Sequence, residues 1–367
     1  MKYKLLKDVC NINMGQSPDS NSYNENGDGV PFFQGNADFG ERYPIVKKWC
    51  NAPTKMATSE DILISVRAPI GAVNYAKEDC CIGRGLAAIT PDKTKVSPEF
   101  IFWLLKRKKD ELNDKGTGST FKAIGRTVLE EILIPDIEIE KQIESAAILE
   151  RMYSVMQAKH QEILKLDDLV KARFVELFGL PVSNTKGWKT EQMNDVAPSV
   201  SYLGDFDDEV WLLNLDMVEA QTGRILDYLI VSKDEVGNST CTFDTSNVLY
   251  SKLRPYLNKV VMPDRCGYAT SELVPLQPVK SKINREYLAF MLRSDEFVNM
   301  INEKVAGAKM PRVSMGEFRK FDVPVPPMDL QKQFGDFVHR VDKSKFDKHD
   351  NIFKRGKTHL KTATSRN

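Results

Sequence analysis

The chain has 367 residues, of which 41% are hydrophobic and 28% charged, and its formal net charge is +1. This composition is typical of a folded protein and excludes wholesale disorder. No apolar run approaches the roughly 20 residues of a membrane-spanning helix, and no signal-peptide core follows Met1, so we expect a cytoplasmic protein without membrane contact. The small net charge excludes a globally basic protein, so any nucleic-acid contact must come from local patches.

The six cysteines include the adjacent pair Cys80 and Cys81 but form no Cys-x-x-Cys motif. They predict reduced, mostly buried thiols rather than a disulfide framework or a zinc site. The four histidines fall in predicted helices and outside any compact Cys/Asp/Glu cluster, so no metal site is expected. They are His160, His339, His349 and His359.

One pattern occurs twice along the chain, about 187 positions apart, which is too long for a solenoid repeat of 20 to 50 residues. A chain of this length also suits two domains of about 140 to 150 residues each. The repeat therefore predicts two copies of one domain. The matching pairs of segments are 61–65 with 247–251, 99–101 with 286–288, 134–135 with 325–326, and 140–142 with 331–333.

Each copy begins with a polar stretch and continues into short β-branched runs, followed by a helix. We therefore expect two mixed α/β domains, over residues 1–138 and 181–329. In the first copy the predicted strands are 61–66, 71–75 and 86–89 and the helix is 98–105; in the second the strands are 248–253, 259–262 and 273–276 and the helix is 285–292.

A long central helix is predicted over residues 139–180, because neither proline nor glycine interrupts it before Gly179. Apolar residues recur in it every seven positions, which favours a coiled-coil seam over an ordinary core-facing stripe. A second helix with a basic tail is predicted over residues 330–367. We expect an α+β fold, with two similar domains separated by two long helices packed as a coiled coil. The positions of the sevenfold repeat are Leu149, Met156, Ile163, Val170 and Leu177.

Motifs of several enzyme classes are missing from the sequence. No Asp or Glu stands two residues before a Lys, as metal-dependent nucleases need, and no Asn/Asp-Pro-Pro-aromatic tetrad of amino-methyltransferases occurs. Residues 83–88 fit the pattern Gly-x-Gly-x-x-Ala, but the residues after them predict a strand where a dinucleotide site needs a helix. The chain therefore predicts a recognition protein and not an enzyme.

Ordered, partly duplicated motifs occur at residues 5–9, 15–18, 31–32, 61–67 with 71, 118–124, 132–135 with 140–143, and 323–328 with 331–334. This set resembles the specificity (S) subunit of type I restriction-modification systems over essentially the full chain. The resemblance implies two target-recognition domains, each of which reads half of a bipartite double-stranded DNA sequence. It also implies two conserved helices that dock methyltransferase (M) subunits.

The resemblance implies no catalytic residue, metal or cofactor in this chain. The M subunits would use S-adenosylmethionine, and a restriction (R) subunit would use ATP and Mg. Two other functions stay open: a subunit of a related restriction system with its own catalytic activity, and a coiled-coil protein-interaction scaffold. The missing motifs disfavour the first, and the second predicts no sequence-dependent DNA binding even with partners present.

Base reading calls for Arg, Lys, Gln and Asn in loops, because these side chains match the hydrogen-bonding edges of guanine and adenine. The alternative for each candidate is a solvated side chain or a phosphate contact, since phosphate and sugar take half or more of protein–DNA hydrogen bonds. The loops of the two copies differ, so we expect different half-sites. The DNA-binding candidates are Ser17, Gln34, Asn36, Arg67, Arg84 and Lys122 in the first domain, and Tyr202, Arg224, Lys252, Arg254, Lys309 and Arg312 in the second.

The predicted central helix also suggests how the half-sites would be spaced. Forty residues at about 1.5 Å each give about 60 Å, comparable with about 17 base pairs at about 3.4 Å each. A rigid helix would make the spacer a geometric constant. The half-sites, the spacer length, the stoichiometry and the order of the basic tail do not follow from the sequence.

Overall fold

The structure, a computed structural model, describes residues 2–118, 122–305 and 310–345. The chain divides into two compact units, Met1–Ala158 (unit 1) and Lys159–Asn367 (unit 2). This boundary falls within the predicted central helix. The predicted division of the chain into residues 1–138, 139–180, 181–329 and 330–367 stays a prediction. No helix in the described ranges combines the length and the apolar character that crossing a bilayer requires.

Unit 1 consists of short strands and four short helices among its described residues. The strands are β1 (Tyr3–Leu5), β2 (Cys10–Met14), β3 (Tyr23–Asn24), β4 (Val30–Phe33), β5 (Trp49–Cys50), β6 (Met56–Ala57), β7 (Ile62–Ser65), β8 (Val73–Tyr75), β9 (Cys80–Ile82), β10 (Leu86–Pro91) and β11 (Leu133–Pro135). The helices are α1 (Leu6–Val9), α2 (Pro98–Arg107), α3 (Lys109–Asp114) and α4 (Arg126–Glu130).

Two larger sheets share the core of unit 1. One has the order β2-β10-β7-β8 and is antiparallel; the other has the order β3-β5-β4-β9-β6, with β4 and β9 parallel. Strand β7 is buried on both faces, because Ile62 and Ile64 pack with Phe102 of α2 while Leu63 packs with Ile82 of β9. Such a strand appears in the sequence as a continuous apolar run, which is why residues 61–66 were predictable.

Helix α5 (Ile139–Phe178) runs for 40 residues, so the predicted central helix is confirmed. Gly179 follows it with a φ of +75°, the left-handed conformation that commonly ends a helix.

Unit 2, like unit 1, contains short strands and short helices. Its strands are β12 (Thr190–Gln192), β13 (Glu209–Leu213), β14 (Leu229–Ser232), β15 (Thr240–Phe243), β16 (Val248–Ser251), β17 (Val260–Val261), β18 (Gly267–Thr270), β19 (Leu273–Leu276) and β20 (Asp322–Pro324). Its helices are α6 (Met193–Val196), α7 (Arg285–Arg293), α8 (Asp295–Lys304), α9 (Met315–Phe318) and α10, which is helical over residues 328–345.

The strand pairing shows the duplication. In unit 1 the antiparallel pair β7 and β10 has β8 beside β7, and in unit 2 the pair β16 and β19 has β17 beside β16. The parallel pair β4 and β9 of unit 1 returns as β13 and β18. The α+β fold class predicted from the sequence is confirmed.

The register of the duplication near the long helices differs from the predicted one. Strand β11 pairs with β1 as β20 pairs with β12, which matches Ile134 with Val323 and not with Val325. Buried Gln142 likewise corresponds to buried Gln331, two residues before the predicted match. Prolines recur every second residue at Pro324 and Pro326, so the sequence pattern by itself fits both registers.

The second half of α5 packs on α10 within unit 2. Phe174 and Phe178 of α5 are buried against Phe334 of α10, with ring centroids 5.4 and 5.5 Å apart. Of the predicted seam positions, Val170 is buried in the same core as Phe334 and Leu177 packs against that core, so the seam is confirmed at its C-terminal end. Its first two positions, Leu149 and Met156, are 41% and 55% exposed.

All six cysteines are free thiols, and only Cys266 is exposed, which confirms the prediction of mostly buried thiols. Burial raises the pKa of Cys10 and of Cys80 to about 12. Buried, protonated thiols of this kind are unreactive.

Candidate nucleic-acid interface

A tight turn between β9 and β10 forms the centre of a polar surface in unit 1. The Gly83 N–H donates to the Phe33 carbonyl (2.8 Å), and the Gly85 N–H donates to the Gln34 carbonyl (3.1 Å). A Cβ on Gly85 would lie 2.3 Å from that Gln34 oxygen. Both glycines therefore allow two backbones to approach closely, and strand β10 follows them where a dinucleotide site would need a helix.

This turn brings four of the predicted DNA-binding residues together. The Arg84 N–H donates to the Ser17 hydroxyl at 3.3 Å. Gln34 contacts the turn through its carbonyl, and Asn36 begins the 3₁₀ turn that follows two residues later. Gln34 and Arg84 are exposed, and Ser17 and Asn36 are half-buried.

The other two predicted residues of unit 1 join the same surface through the backbone. The Val66 N–H donates to the Gly85 carbonyl (2.9 Å), and the Ala68 N–H donates to the Lys122 carbonyl (3.0 Å). Arg67, between them, is exposed, as is Lys122. Neither these two side chains nor Arg84 forms an ion pair with another described residue of the chain. We call the six residues together the unit 1 surface.

In unit 2 three predicted residues meet in the corresponding place. The Val313 N–H donates to the Lys252 carbonyl, and the Arg254 N–H donates to the Pro311 carbonyl, both at 2.8 Å. Arg312 lies between Pro311, whose carbonyl accepts one of these bonds, and Val313, whose N–H donates the other. Arg254 adopts the left-handed conformation, with a φ of 50°, which is uncommon for a residue with a side chain and clusters at functional sites.

A carboxylate replaces a glycine at the centre of this second surface. The Lys252 N–H donates to the Glu272 carbonyl (3.0 Å), as the Val66 N–H does to the Gly85 carbonyl. The Glu272 side chain accepts from Nη2 of Arg312 at 2.7 Å. The two units therefore share the turn but not its charges.

Arg224 lies on a hairpin that contacts this surface. The Gln221 N–H of the hairpin donates at 2.9 Å to the carbonyl of Leu257, in the turn that Arg254 begins. The Arg224 side chain pairs with Glu219. Hydrogen bonds from Thr222 and then from Arg224 hold the pKa of Glu219 below its usual value, although partial burial opposes them. We call Lys252, Arg254, Arg312 and this hairpin, residues 218–225, the unit 2 surface.

Two predicted residues of the second domain stand apart. Tyr202 exchanges hydrogen bonds with Thr242 of β15 (3.2 and 2.7 Å) and packs its ring on Phe206. Among the described residues no hydrogen bond or ring contact joins it to the other candidates. Lys309 lies outside the described residues.

The sequence alone did not identify several residues within or beside these surfaces. Asn214 follows β13 as Gln34 follows β4, and Ser271 occupies in unit 2 the position of Arg84. A polar amide directly after a buried strand was the available signal for Asn214. No such sequence signal marks Glu219 and Glu272, because each acts through an ion pair with an arginine that only the fold brings close.

Known proteins share both the sequence pattern and the fold of this chain. The family model described as the type I restriction modification DNA specificity domain matches residues 1–166 and 222–353. A solved type I restriction-modification S subunit from M. genitalium matches 96% of this chain and 92% of its own, with a TM-score of 0.57 and 14% identity, which shows a shared fold.

Two relatives cover shorter parts of the chain. The type I restriction enzyme MjaX specificity subunit of Methanocaldococcus jannaschii is 47% identical over 151 residues, 41% of this chain and 36% of that protein. The EcoDI specificity subunit of Escherichia coli is 23% identical over 285 residues, 67% of this chain and 62% of that protein. The chain thus spans less than two thirds of either relative, but the family model covers most of its length, and the chain belongs to the type I restriction-modification DNA specificity domain family.

Proposed function

We propose that this chain is the DNA sequence-recognition subunit of a type I restriction-modification complex, and that each unit reads one half of a bipartite double-stranded target. One observation carries the proposal. The same strand-end surface occurs in both units, held by matching backbone hydrogen bonds, and it bears different basic and amide side chains in each. Shared backbones with different side chains suit two half-sites of different sequence.

The side chains on the two surfaces fit the chemistry of base edges and phosphates. An arginine fork can bind guanine O6 and N7 together, and an amide can bind adenine N6 and N7. Lysine is a point charge that suits phosphate. Within the unit 1 surface we assign Gln34, Arg67 and Arg84 to bases and Lys122 to the backbone of the DNA.

In this proposal the chain itself performs no catalysis. M subunits with S-adenosylmethionine and an R subunit with ATP and Mg would supply the chemistry, and the complex would act in the cytoplasm. Exposed apolar side chains on the first half of α5, among them Leu149, Met152 and Met156, support docking of an M subunit there. Large exposed apolar patches commonly mark protein interfaces.

The experiment that tests the proposal maps methylated positions in DNA from cells that express the chain with its M partner. We expect a bipartite consensus with a fixed spacer. Arg254→Ala should relax or weaken only one half-site, and Arg84→Ala only the other, because each residue lies in a different unit. Methylation without a consensus would contradict the proposal, and so would an equal loss at both half-sites from either variant. A scaffold without DNA recognition would give the first of these outcomes.

A further inference from the structure

A hairpin follows the parallel strand of each unit, with two residues between the facing pair in unit 1 and four in unit 2, and the facing residues differ. In unit 1 the Gly40 N–H donates to the Tyr43 carbonyl (3.2 Å), and in unit 2 the Glu219 N–H donates to the Arg224 carbonyl (2.9 Å). The next pair outward matches as well, since Phe39 bridges Pro44 as Val218 bridges Ile225. An Arg–Glu pair in unit 2 thus stands where unit 1 has a tyrosine and a glycine.

Two hydrogen bonds hold the guanidinium of Arg224 in a fixed plane. Nε donates to Glu219 Oε2 at 3.1 Å, and Nη2 donates to Glu219 Oε1 at 2.9 Å. This pairing occupies the Nε side of the fork and leaves the Nη1 and Nη2 edge free to donate. The Arg224 side chain is 62% exposed, so that edge can meet a ligand.

The loop of the hairpin is built to hold this pair. The Thr222 hydroxyl donates to Glu219 Oε2 (2.6 Å) and accepts from the Arg224 N–H (3.1 Å). Gly223 has a φ of +67°, and a Cβ there would lie 1.8 Å from the Val260 carbonyl oxygen, so the loop tip is pressed against β17.

The hairpin is also fixed to the turn that Arg254 begins. Gln221 donates through its amide to the Tyr256 carbonyl at 2.9 Å. Gln221, Arg254 and Asn258 have φ values of 69°, 50° and 48°. Three residues with side chains in the left-handed region, all in two contacting loops, indicate an over-determined local geometry.

The carboxylate of Glu219 favours a contact of Arg224 with a base over a contact with a phosphate. A carboxylate beside the guanidinium repels a phosphate and cancels the charge that a phosphate contact would exploit. A base edge carries no net charge and is not repelled in this way. It also binds better to a guanidinium whose plane the carboxylate has already fixed. The free edge has two parallel N–H donors, which match O6 and N7 of guanine.

We infer that Arg224 reads a guanine in the half-site of unit 2, and that Glu219 is the positioning residue that holds its fork. This inference rests on the proposed function. At the two facing positions unit 1 has Gly40 and Tyr43, and Arg42 in that hairpin pairs with Glu150 of α5 instead, so an arginine held across the hairpin itself distinguishes unit 2.

The test is selection of bound duplexes from a DNA library randomised at both half-sites, using the chain in complex with its M subunits. Wild type should enrich a guanine at one position that Arg224→Ala abolishes, with a drop in guanine preference of roughly 10- to 100-fold. Arg224→Lys keeps the charge but not the fork, so it should not restore the preference. Glu219→Gln should weaken the preference several-fold at that position alone.

Arg265→Ala is the matched control, because Arg265 is similarly exposed, lies beside Asp264, and sits at the other end of β18 from Glu272. It should leave the consensus unchanged. An unchanged consensus in Arg224→Ala would overturn the inference while leaving the proposed function intact. If Arg224→Ala lowers the affinity for all duplexes alike and Arg224→Lys restores it, Arg224 contacts a phosphate, which also overturns the inference. An unchanged preference in Glu219→Gln would remove its positioning role. Failure of wild type to enrich any sequence would refute the proposed function itself.

Discussion

At the scale of single residues, the two glycines of the β9–β10 turn show how a small side chain can organise a surface. Gly83 and Gly85 have no positive φ; they are needed because the Gln34 backbone passes within contact distance. The position of the exposed Arg84 is therefore set by the backbone contacts of the two glycines beside it and not by contacts of its own side chain. A weak nucleotide-like motif in the sequence has a packing explanation in the structure.

Gly85→Ala should lower the free energy of unfolding by about 1–3 kcal/mol, because the added methyl meets a backbone oxygen that cannot move without disturbing β4. It should also weaken recognition of the half-site that Arg84 reads. Denaturant unfolding and the methylation consensus measure the two effects. Gly237→Ala is the control, since a Cβ there meets nothing within 4 Å. Equal stability of the two variants would show that the close approach is not required.

At the scale of elements, a buried glutamine near the start of α5 and of α10 joins the start of another helix to the segment that precedes the long helix. Gln142 accepts from the Ser97 N–H at the start of α2 and donates to the Ile137 carbonyl. Gln331 accepts from the Asn284 N–H at the start of α7 and donates to the carbonyl of Pro326. We call these hydrogen bonds of Gln142 and Gln331 the clasp; its presence at both places explains why the motifs at 132–135 with 140–143 and 323–328 with 331–334 recur in the sequence.

Gln331→Leu should lower the free energy of unfolding of unit 2 by at least about 2 kcal/mol, because it leaves buried backbone donors and acceptors without partners. The groups exposed to this loss are the Asn284 N–H and the carbonyls of Lys282 and Pro326. Thermal unfolding followed by circular dichroism measures it. Gln333→Leu, two residues along on the exposed side of α10, should change stability little. A Gln331→Leu protein as stable as the Gln333→Leu protein would contradict the clasp.

At the scale of the whole molecule, the length of α5 is the feature that concerns spacing. It runs without interruption from Ile139 to Phe178, which corresponds to about 60 Å at about 1.5 Å per residue. We propose that this length sets the spacer between half-sites. Asp167 of α5 also pairs with Lys345 of α10 at 2.6 Å, so a change of helix register there has a cost.

A four-residue insertion near Lys165 adds about 6 Å and about 40° of rotation. We expect it to change the preferred spacer and to leave both half-sites intact. The methylation pattern reports both quantities. Insertion of the same four residues after Gly237, in a loop between β14 and β15, should leave the spacer as it is. An unchanged spacer after the helix insertion would exclude the helix as its determinant.

The sequence by itself determined what depends on local pattern. The long helix, the buried strands β7 and β16 and the fact of duplication follow from residue periodicity and from the placement of proline and glycine, which act over a few neighbours. The sequence also supplied most residues of the two surfaces as candidates. The apolar residues at every seventh position of the central helix are also a local pattern, since they predict an apolar stripe but not the residues that cover it.

Only the tertiary structure decided which distant residues meet. The approach of Gly85 to Gln34, the pairing of Arg224 with Glu219 across a hairpin loop, and the separation of Tyr202 from the other candidates all depend on strand register and loop conformation. Strand register also decided that Ile134 corresponds to Val323 and not, as predicted, to Val325. Register is set by how whole strands bury their faces against one another, and no local segment contains that information.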